Sequence, residues 1–241
     1  MSDDVGLSLC SRYAFAPNLF HYCGPEKQAD LLGYLHENHA DRGLFEILTQ
    51  FDTLYNYLVL IASENKIQDL FDRRVVEAYW LGNTLTVNVK KSALVSHVDD
   101  VLAVSKKMNR TEFVKLATSL TSHGMPTHTD HVLSIYIRTG HHAIAHTIET
   151  IDQCRISWGK IVKLKGNMAE ALVRPLVYDN DSLRLGEPQL KSLTCIDVAT
   201  TVGEWVSIHW GYVCAILTES QVNNLRAFTL RALKNTKQVI L

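Results

Sequence analysis

Residues 156–173 read ISWGKIVKLKGNMAEALV, and their pattern separates the second half of the chain from the first. The stretch 156–164 is rich in β-forming residues, 165–167 (Lys-Gly-Asn) supplies a turn, and small or branched residues then alternate with their neighbours over 169–173. This pattern predicts two strands joined by a turn. Further turns at 179–181 and 186–188, with short strands around them and a last strand over 204–210, predict a small OB-like β-barrel.

Upstream of this stretch the apolar residues follow a helical period. They recur at helical spacing over 26–37 and 41–64, and Asp72 is a suitable N-cap for the segment after it. Asn109 precedes Glu112 by three positions, as in a capping box. Five helices within about the first 120 residues predict an all-α bundle.

The sequence therefore predicts an α+β chain with two parts. Residues 1–140 form an N-terminal all-α helical domain, and residues 141–241 form the β-barrel domain with a C-terminal helix, which begins at the capping box Thr218–Gln221. The boundary lies where the helical period gives way to the period of strands.

Composition excludes several classes of function. The 241 residues carry 24 Lys and Arg against 25 Asp and Glu, so no broad positive field attracts nucleic acid. The longest apolar stretch, 54–62, is too short to span a bilayer, and no secretory signal is visible at the N-terminus. Five widely spaced cysteines without a CxxC pair predict reduced thiols in the cytoplasm and argue against a structural zinc ribbon.

The last predicted strand carries a histidine. If Val206 and Ile208 point into the barrel, alternation turns Trp205, Ser207 and His209 outward. We therefore expect His209 on an accessible surface, although a histidine without a task on the outer face of a strand is a common alternative.

Two further groups of residues have ligand chemistry. Cys154 lies at the junction of helix and strands, where exposure is plausible, although free cysteines usually serve as small buried hydrophobes. Six of the eleven histidines fall between 123 and 146. His142 and His146 are four apart, so a helix would place both on one face, and His128 and His131 are three apart with Asp130 between them. Two imidazoles with a carboxylate can hold iron or zinc, but no HExxH or ExxH signature is present, so solvated or core histidines stay an open alternative.

Three segments of the second half resemble the HypC/HupF family of [NiFe]-hydrogenase maturation chaperones. They are Cys154-Arg-Ile-Ser-Trp-Gly159, then GNMAEALV over 166–173, and VGEWVSIHWGYV over 202–213. The resemblance covers roughly Cys154 to Leu233, about a third of the chain. The helical portion, with Tyr22-Cys23-Gly24-Pro25 and RVVEAYW over 74–80, resembles an uncharacterised family often encoded near hydrogenase genes.

This resemblance implies a carrier or chaperone rather than an enzyme. It implies that Cys154 and His209 bind iron with cyanide and carbon monoxide ligands. The partners it implies are a HypD-like scaffold protein, with which the carrier works, and the [NiFe]-hydrogenase large subunit, which receives the iron. In the family the cysteine becomes N-terminal after methionine removal, whereas Cys154 follows 153 residues and its loop has Trp158 in place of proline.

An N-terminal cysteine has a free α-amine beside its thiol, and the internal Cys154 lacks this group. A ligand from the helical portion could replace it. The candidates for this role, or for a second metal site, are His128, His131, His142, His146 and Cys23. Two other functions stay open: a metal-free interaction module that contacts a hydrogenase or maturation partner through Trp205 or Trp210, and a metalloenzyme that uses the histidine-rich segment.

Overall fold

The structure, a computed structural model, describes residues 4–136, 147–180 and 182–240. It has an N-terminal helical region, a five-stranded β-barrel and a C-terminal helix, so the predicted α+β class is confirmed. The helices are α1 (Asp4–Leu19), α2 (Gln28–Glu37), α3 (Arg42–Leu48), α4 (Asp52–Glu64), α5 (Arg73–Trp80), α6 (Thr84–Asn88), α7 (Lys91–Ser96), α8 (Arg110–His123), α9 (His128–Asp130), α10 (Ile148–Cys154) and α11 (Glu219–Ile240). Irregular helical turns follow α7 over His97–Val101 and Val104–Lys106, and α9 over His131–Tyr136.

Local capping explains several of these boundaries. The Asp72 side chain accepts a hydrogen bond from the Arg74 backbone N–H at the start of α5, and both bonds of the capping box between Asn109 and Glu112 are present in α8. The continuous helix predicted over 41–64 is wrong, because two helices form there with a break at 49–51.

The first helix predicted from the sequence begins at residue 26, whereas in the structure α1 already begins at Asp4. Most of its residues are buried, including small and polar ones such as Gly6 and Ser11. A helix buried on most of its circumference lacks the single apolar stripe by which surface helices are recognised.

The barrel closes on itself. Its strands are β1 (Ser157–Lys165), β2 (Met168–Val173), β5 (Gln189–Cys195), β6 (Trp205–His209) and β7 (Tyr212–Leu217); β3 (Leu176–Asp179) and β4 (Ser182–Leu185) form a separate hairpin. The order is β1-β2-β5-β7-β6, with β6 pairing back to β1 and only β5 and β7 parallel among the described strands. The strand predicted over 204–210 corresponds to β6, but it is not the last strand, because β7 follows it.

The barrel interior is small and apolar. Val206 and Ile208 point into it, as predicted, and pack with Ile161, Ala171 and Leu193. Part of the outer face of the barrel is covered, because Cys214 and Leu217 of β7, with Ile156 just before β1, belong to the same hydrophobic core as the helices. The boundary predicted at residue 140 falls outside the described residues.

No described helix is long and apolar enough to cross a membrane.

Candidate metal centre

The turn between β6 and β7 places one side of the site. Trp210 and Gly211 form a two-residue hairpin loop in which both residues have positive φ, 52° and 79°. This is the conformation of a type I′ turn, whose twist suits a β-hairpin. The backbone N–H of Trp210 donates to the carbonyl of Gln153 at 3.0 Å. The turn is thereby fixed to the end of α10, where Cys154 is the last residue.

His209 lies on the outer face of the barrel, as alternation predicts, but the expectation that it is accessible is wrong. Its side chain is 1 % exposed because α1 packs over this face of β6. The imidazole Nδ1–H donates to the backbone carbonyl of Tyr13 in α1 at 2.8 Å. A carbonyl oxygen can only accept, so this bond fixes the proton on Nδ1 and leaves the lone pair on Nε2. Nε2 is buried, and no described residue forms a hydrogen bond with it.

His128 approaches from the helical region. It is the first residue of α9, where the Thr127 side chain caps the Asp130 backbone N–H. The His128 Nε2–H donates to the carbonyl of Cys154 at 2.8 Å, and the Tyr79 hydroxyl lies 3.1 Å from Nδ1. Since Nε2 carries the proton, the Tyr79 hydroxyl donates to Nδ1. The rings of His128 and His209 lie edge to face, with centroids 5.1 Å apart.

These contacts bring three donor groups together. One ligand atom each from His128, Cys154 and His209 lies within 4.8 Å of the other two. Ligand atoms on a single tetrahedral ion lie roughly 3.3–3.8 Å apart, given metal–nitrogen and metal–sulfur bonds of about 2.1 and 2.3 Å. The pair of ligand atoms that lies farthest apart therefore has to move closer by at most about 1–1.5 Å to hold one ion. His209 is oriented for this with a free lone pair, whereas His128 first has to release the Cys154 carbonyl.

Burial determines the charge of all three groups. It lowers the pKa of His209 to about 4, although the hydrogen bond to the Tyr13 carbonyl and the nearby Cys154 backbone oppose this effect. It lowers the pKa of His128 well below the usual value, and the neighbouring His209 lowers it further. Both imidazoles are therefore neutral at physiological pH, the form that binds metals. Burial also raises the pKa of the Cys154 thiol to about 12, so a metal must displace the thiol proton.

A cavity of about 80 Å³ adjoins the three residues. A water molecule occupies about 30 Å³ in the liquid, so this volume accommodates an ion with a few small ligands. The cavity wall is mostly aromatic and apolar, and two of the other predicted candidates, Cys23 and His131, line it. Within the described ranges, neither joins the group of three ligand atoms. The Nδ1 of His131 lies 3.2 Å from the hydroxyl of Tyr57.

The structure thus separates the predicted candidates. Cys154 and His209 lie together, and His128 lies with them rather than with His131. His142 and His146 lie outside the described residues.

Sequence reasoning missed two residues of this site. Tyr79, which bonds His128, belongs to the apolar stripe of α5 and has no sequence signal of its own. The expectation that Trp210 is available for contact with a partner is wrong, because Tyr22 covers it with ring centroids 4.0 Å apart and leaves it 7 % exposed. A tryptophan before glycine in a tight turn, where asparagine or aspartate is usual, could have singled it out.

Comparison with the curated proteins and with the solved structures finds no similar protein. Comparison with protein families finds a match over residues 2–241, almost the full length of the chain. The chain therefore belongs to the family described as "Family of unknown function (DUF6390)".

Proposed function

We propose that this protein is a metal carrier of [NiFe]-hydrogenase maturation. Its cargo is an iron fragment with cyanide and carbon monoxide ligands, which Cys154 and His209 hold and pass to a hydrogenase large subunit. One observation carries the proposal: the two residues selected by the HypC/HupF resemblance lie within reach of one ion, although they are far apart in sequence. The buried lone pair of His209 Nε2, without a partner among the described residues, adds independent support.

The donor set suits this cargo. A thiolate is a soft ligand and imidazole binds iron well, so the pair matches low-spin iron with strong-field ligands. Two or three protein ligands leave further positions on the iron for its own small ligands, unlike a closed four-ligand structural site. The cavity of about 80 Å³ provides space beside these ligands.

His128 takes the place of the α-amine that the internal Cys154 lacks. It already contacts the Cys154 carbonyl, and a ring rotation or small shift would turn a nitrogen to the ion. Such a ligand binds and leaves at the cost of one hydrogen bond, whereas His209 stays fixed to Tyr13. We propose that His128 is the exchangeable ligand and that a HypD-like scaffold protein supplies the iron fragment.

The test is to produce the full chain together with the hydrogenase maturation proteins and to measure bound iron and infrared bands. The proposal predicts cyanide and carbon monoxide bands in the wild-type protein. We expect these bands to disappear in Cys154→Ser and His209→Gln, which keep side-chain size close to the original, and to weaken in His128→Gln.

Two control variants separate ligand loss from general damage. Cys195→Ser changes a half-buried cysteine of β5, and His36→Gln changes an exposed histidine of α2. Both should retain the bands in full, with unchanged circular dichroism. Bands of full strength in a folded Cys154→Ser protein would refute the carrier assignment.

A metal-free interaction module is the second candidate, and a groove of about 590 Å³ favours it. The half-buried side chains of Trp158 and Trp205 form this groove with Val222 and Leu230 of α11. In that case the protein would capture the hydrogenase large subunit equally well as wild type and as Cys154→Ser, with no iron in either complex. Capture that requires both iron and Cys154 would exclude this second function.

A metalloenzyme of the helical region makes a different prediction. Metal content would then depend on His142 and His146 and would not depend on Cys154. Metal analysis of these variants beside Cys154→Ser distinguishes the two arrangements.

A further inference from the structure

Trp210 has a backbone conformation that tryptophan rarely adopts. Its φ of 52° lies in the left-handed region, and the position is the first central residue of the turn between β6 and β7. Asparagine, aspartate and glycine dominate such positions, because a bulky side chain is strained there. Strained residues persist where the surrounding structure holds them, often at functional sites.

The surroundings hold this indole ring firmly. Tyr22 lies against it with ring centroids 4.0 Å apart, and Phe20 lies at 6.0 Å. The backbone N–H of Trp210 is bonded to Gln153, the neighbour of Cys154. The ring is therefore fixed on two sides beside the end of α10.

The indole N–H is buried and lacks an acceptor with good hydrogen-bond geometry. No described residue accepts a hydrogen bond from Nε1, although buried indole N–H groups usually find a partner. The sulfur of Cys154 lies close enough to the Trp210 side chain to affect the pKa of its thiol, and the backbone bond to Gln153 places the two residues side by side. Burial raises the pKa of this thiol and nearby Cys23 adds to the rise, whereas the Trp210 N–H lowers it.

We propose that Trp210 is a positioning residue that donates its indole N–H to the sulfur of Cys154 when this sulfur binds a metal. The inference rests on the metal site of the proposed function, but not on the identity of the cargo. A thiolate is a better acceptor than a thiol, so the buried donor gains its partner when the metal displaces the thiol proton.

This hydrogen bond has a defined electronic effect. Hydrogen bonds to a ligating sulfur withdraw electron density from it and are one means by which proteins tune metal–thiolate sites. The energy of the sulfur-to-metal charge-transfer transition rises as a result. Outer-shell partners of this kind typically change metal affinity by about 10–100-fold.

The experiment uses Co²⁺ as the probe on the full chain. A near-ultraviolet sulfur-to-cobalt band reports the bond to Cys154, and the visible bands report coordination number. In Trp210→Phe the ring still packs on Tyr22 but the donor is lost. We expect the sulfur-to-cobalt band to move to lower energy and the apparent affinity to fall by about tenfold, with visible bands unchanged.

Trp205→Phe is the matched control, because it removes an indole from β6, the strand that leads into Trp210, at a position that lines the groove beside α11. Its cobalt spectrum should equal that of the wild type. If Trp210→Phe does not fold, benzothienylalanine placed at position 210 replaces the N–H by sulfur with nearly the same ring shape.

The outcomes distinguish this inference from the metal site itself. A wild-type protein that binds no Co²⁺, or binds it without a sulfur band, refutes both. A wild-type sulfur band that is unchanged when the Trp210 donor is removed refutes the role of Trp210 and leaves the metal site standing.

Discussion

The hydroxyl pair Tyr13–Ser207 offers a sharp test of how the helical region and the barrel are joined. The Tyr13 hydroxyl in α1 lies 2.8 Å from Ser207 Oγ in β6, and both side chains are fully buried at 0 % exposure. The backbone carbonyl of Tyr13 also holds His209. Removing this pair therefore perturbs the contact that covers the candidate metal centre.

The structure sets the size of each effect. Tyr13→Phe keeps the ring stacked on Trp80 and leaves Ser207 Oγ with the Ala215 carbonyl at 3.4 Å, so we expect a loss of about 1 kcal/mol in the free energy of unfolding. Ser207→Ala removes the partner of the buried Tyr13 hydroxyl, which should cost about 1–3 kcal/mol. The double variant should lose less than the sum by about 1 kcal/mol, because neither hydroxyl is then left unpaired.

Urea denaturation followed by circular dichroism measures all four proteins. In a thermal melt of a chain of this size, a change of about 1 kcal/mol in the free energy of unfolding would shift Tm by roughly 2–4 °C. Tyr34→Phe is the matched control: it removes a tyrosine hydroxyl that donates to Asp41 in solvent, and it should cost less than about 0.5 kcal/mol. Additive losses, within about 0.3 kcal/mol, would show that the two hydroxyls do not interact and would refute the reasoning.

Two further predictions concern pH and glycine. Burial lowers the pKa of His97 to about 4, so between pH 6.5 and 4 the unfolded chain binds more protons than the folded protein. The free energy of unfolding therefore falls as the pH falls, by up to roughly 3 kcal/mol from this residue. Urea titrations at both pH values should show a smaller fall in His97→Leu than in the wild type. Gly6→Ala should destabilise by more than about 3 kcal/mol in the same assay, because the new Cβ overlaps the Phe71 carbonyl, whereas Gly33→Ala, with nothing near its Cβ in α2, should stabilise by about 0.5–1 kcal/mol. Equal pH slopes for wild type and His97→Leu, or similar effects of the two glycine changes, would contradict these assignments.

The barrel was predictable because its signals are local. Alternation along β6 placed Val206 and Ile208 inside and His209 outside, and the structure agrees. The exposure of His209 was not predictable, because it depends on α1. That helix is buried on most sides and contains Gly6, Ser11 and Pro17, so its sequence lacks the periodic stripe that marked the other helices.

The site was predictable only in part, for a related reason. The resemblance selected Cys154 and His209, but the hydrogen bond from the Trp210 N–H to Gln153 that brings their chain segments together is a long-range backbone contact without a sequence pattern. His128 was one of several equivalent histidines in the sequence. Only packing distinguishes it, since α5 supplies Tyr79 to one of its nitrogens and α10 supplies the Cys154 carbonyl to the other.

The different fixing of the two histidines bears on how such a site could release its cargo. His209 is held by α1 through a proton that must stay on Nδ1, so its Nε2 is a permanent donor. His128 has a partner for each nitrogen without any metal, because Nε2–H donates to the Cys154 carbonyl and the Tyr79 hydroxyl donates to Nδ1. Departure of a metal would leave His209 unpaired but would return His128 to the Cys154 carbonyl. The backbone contact of His128 therefore competes with the metal, as a site for temporary holding requires and a permanent structural site does not.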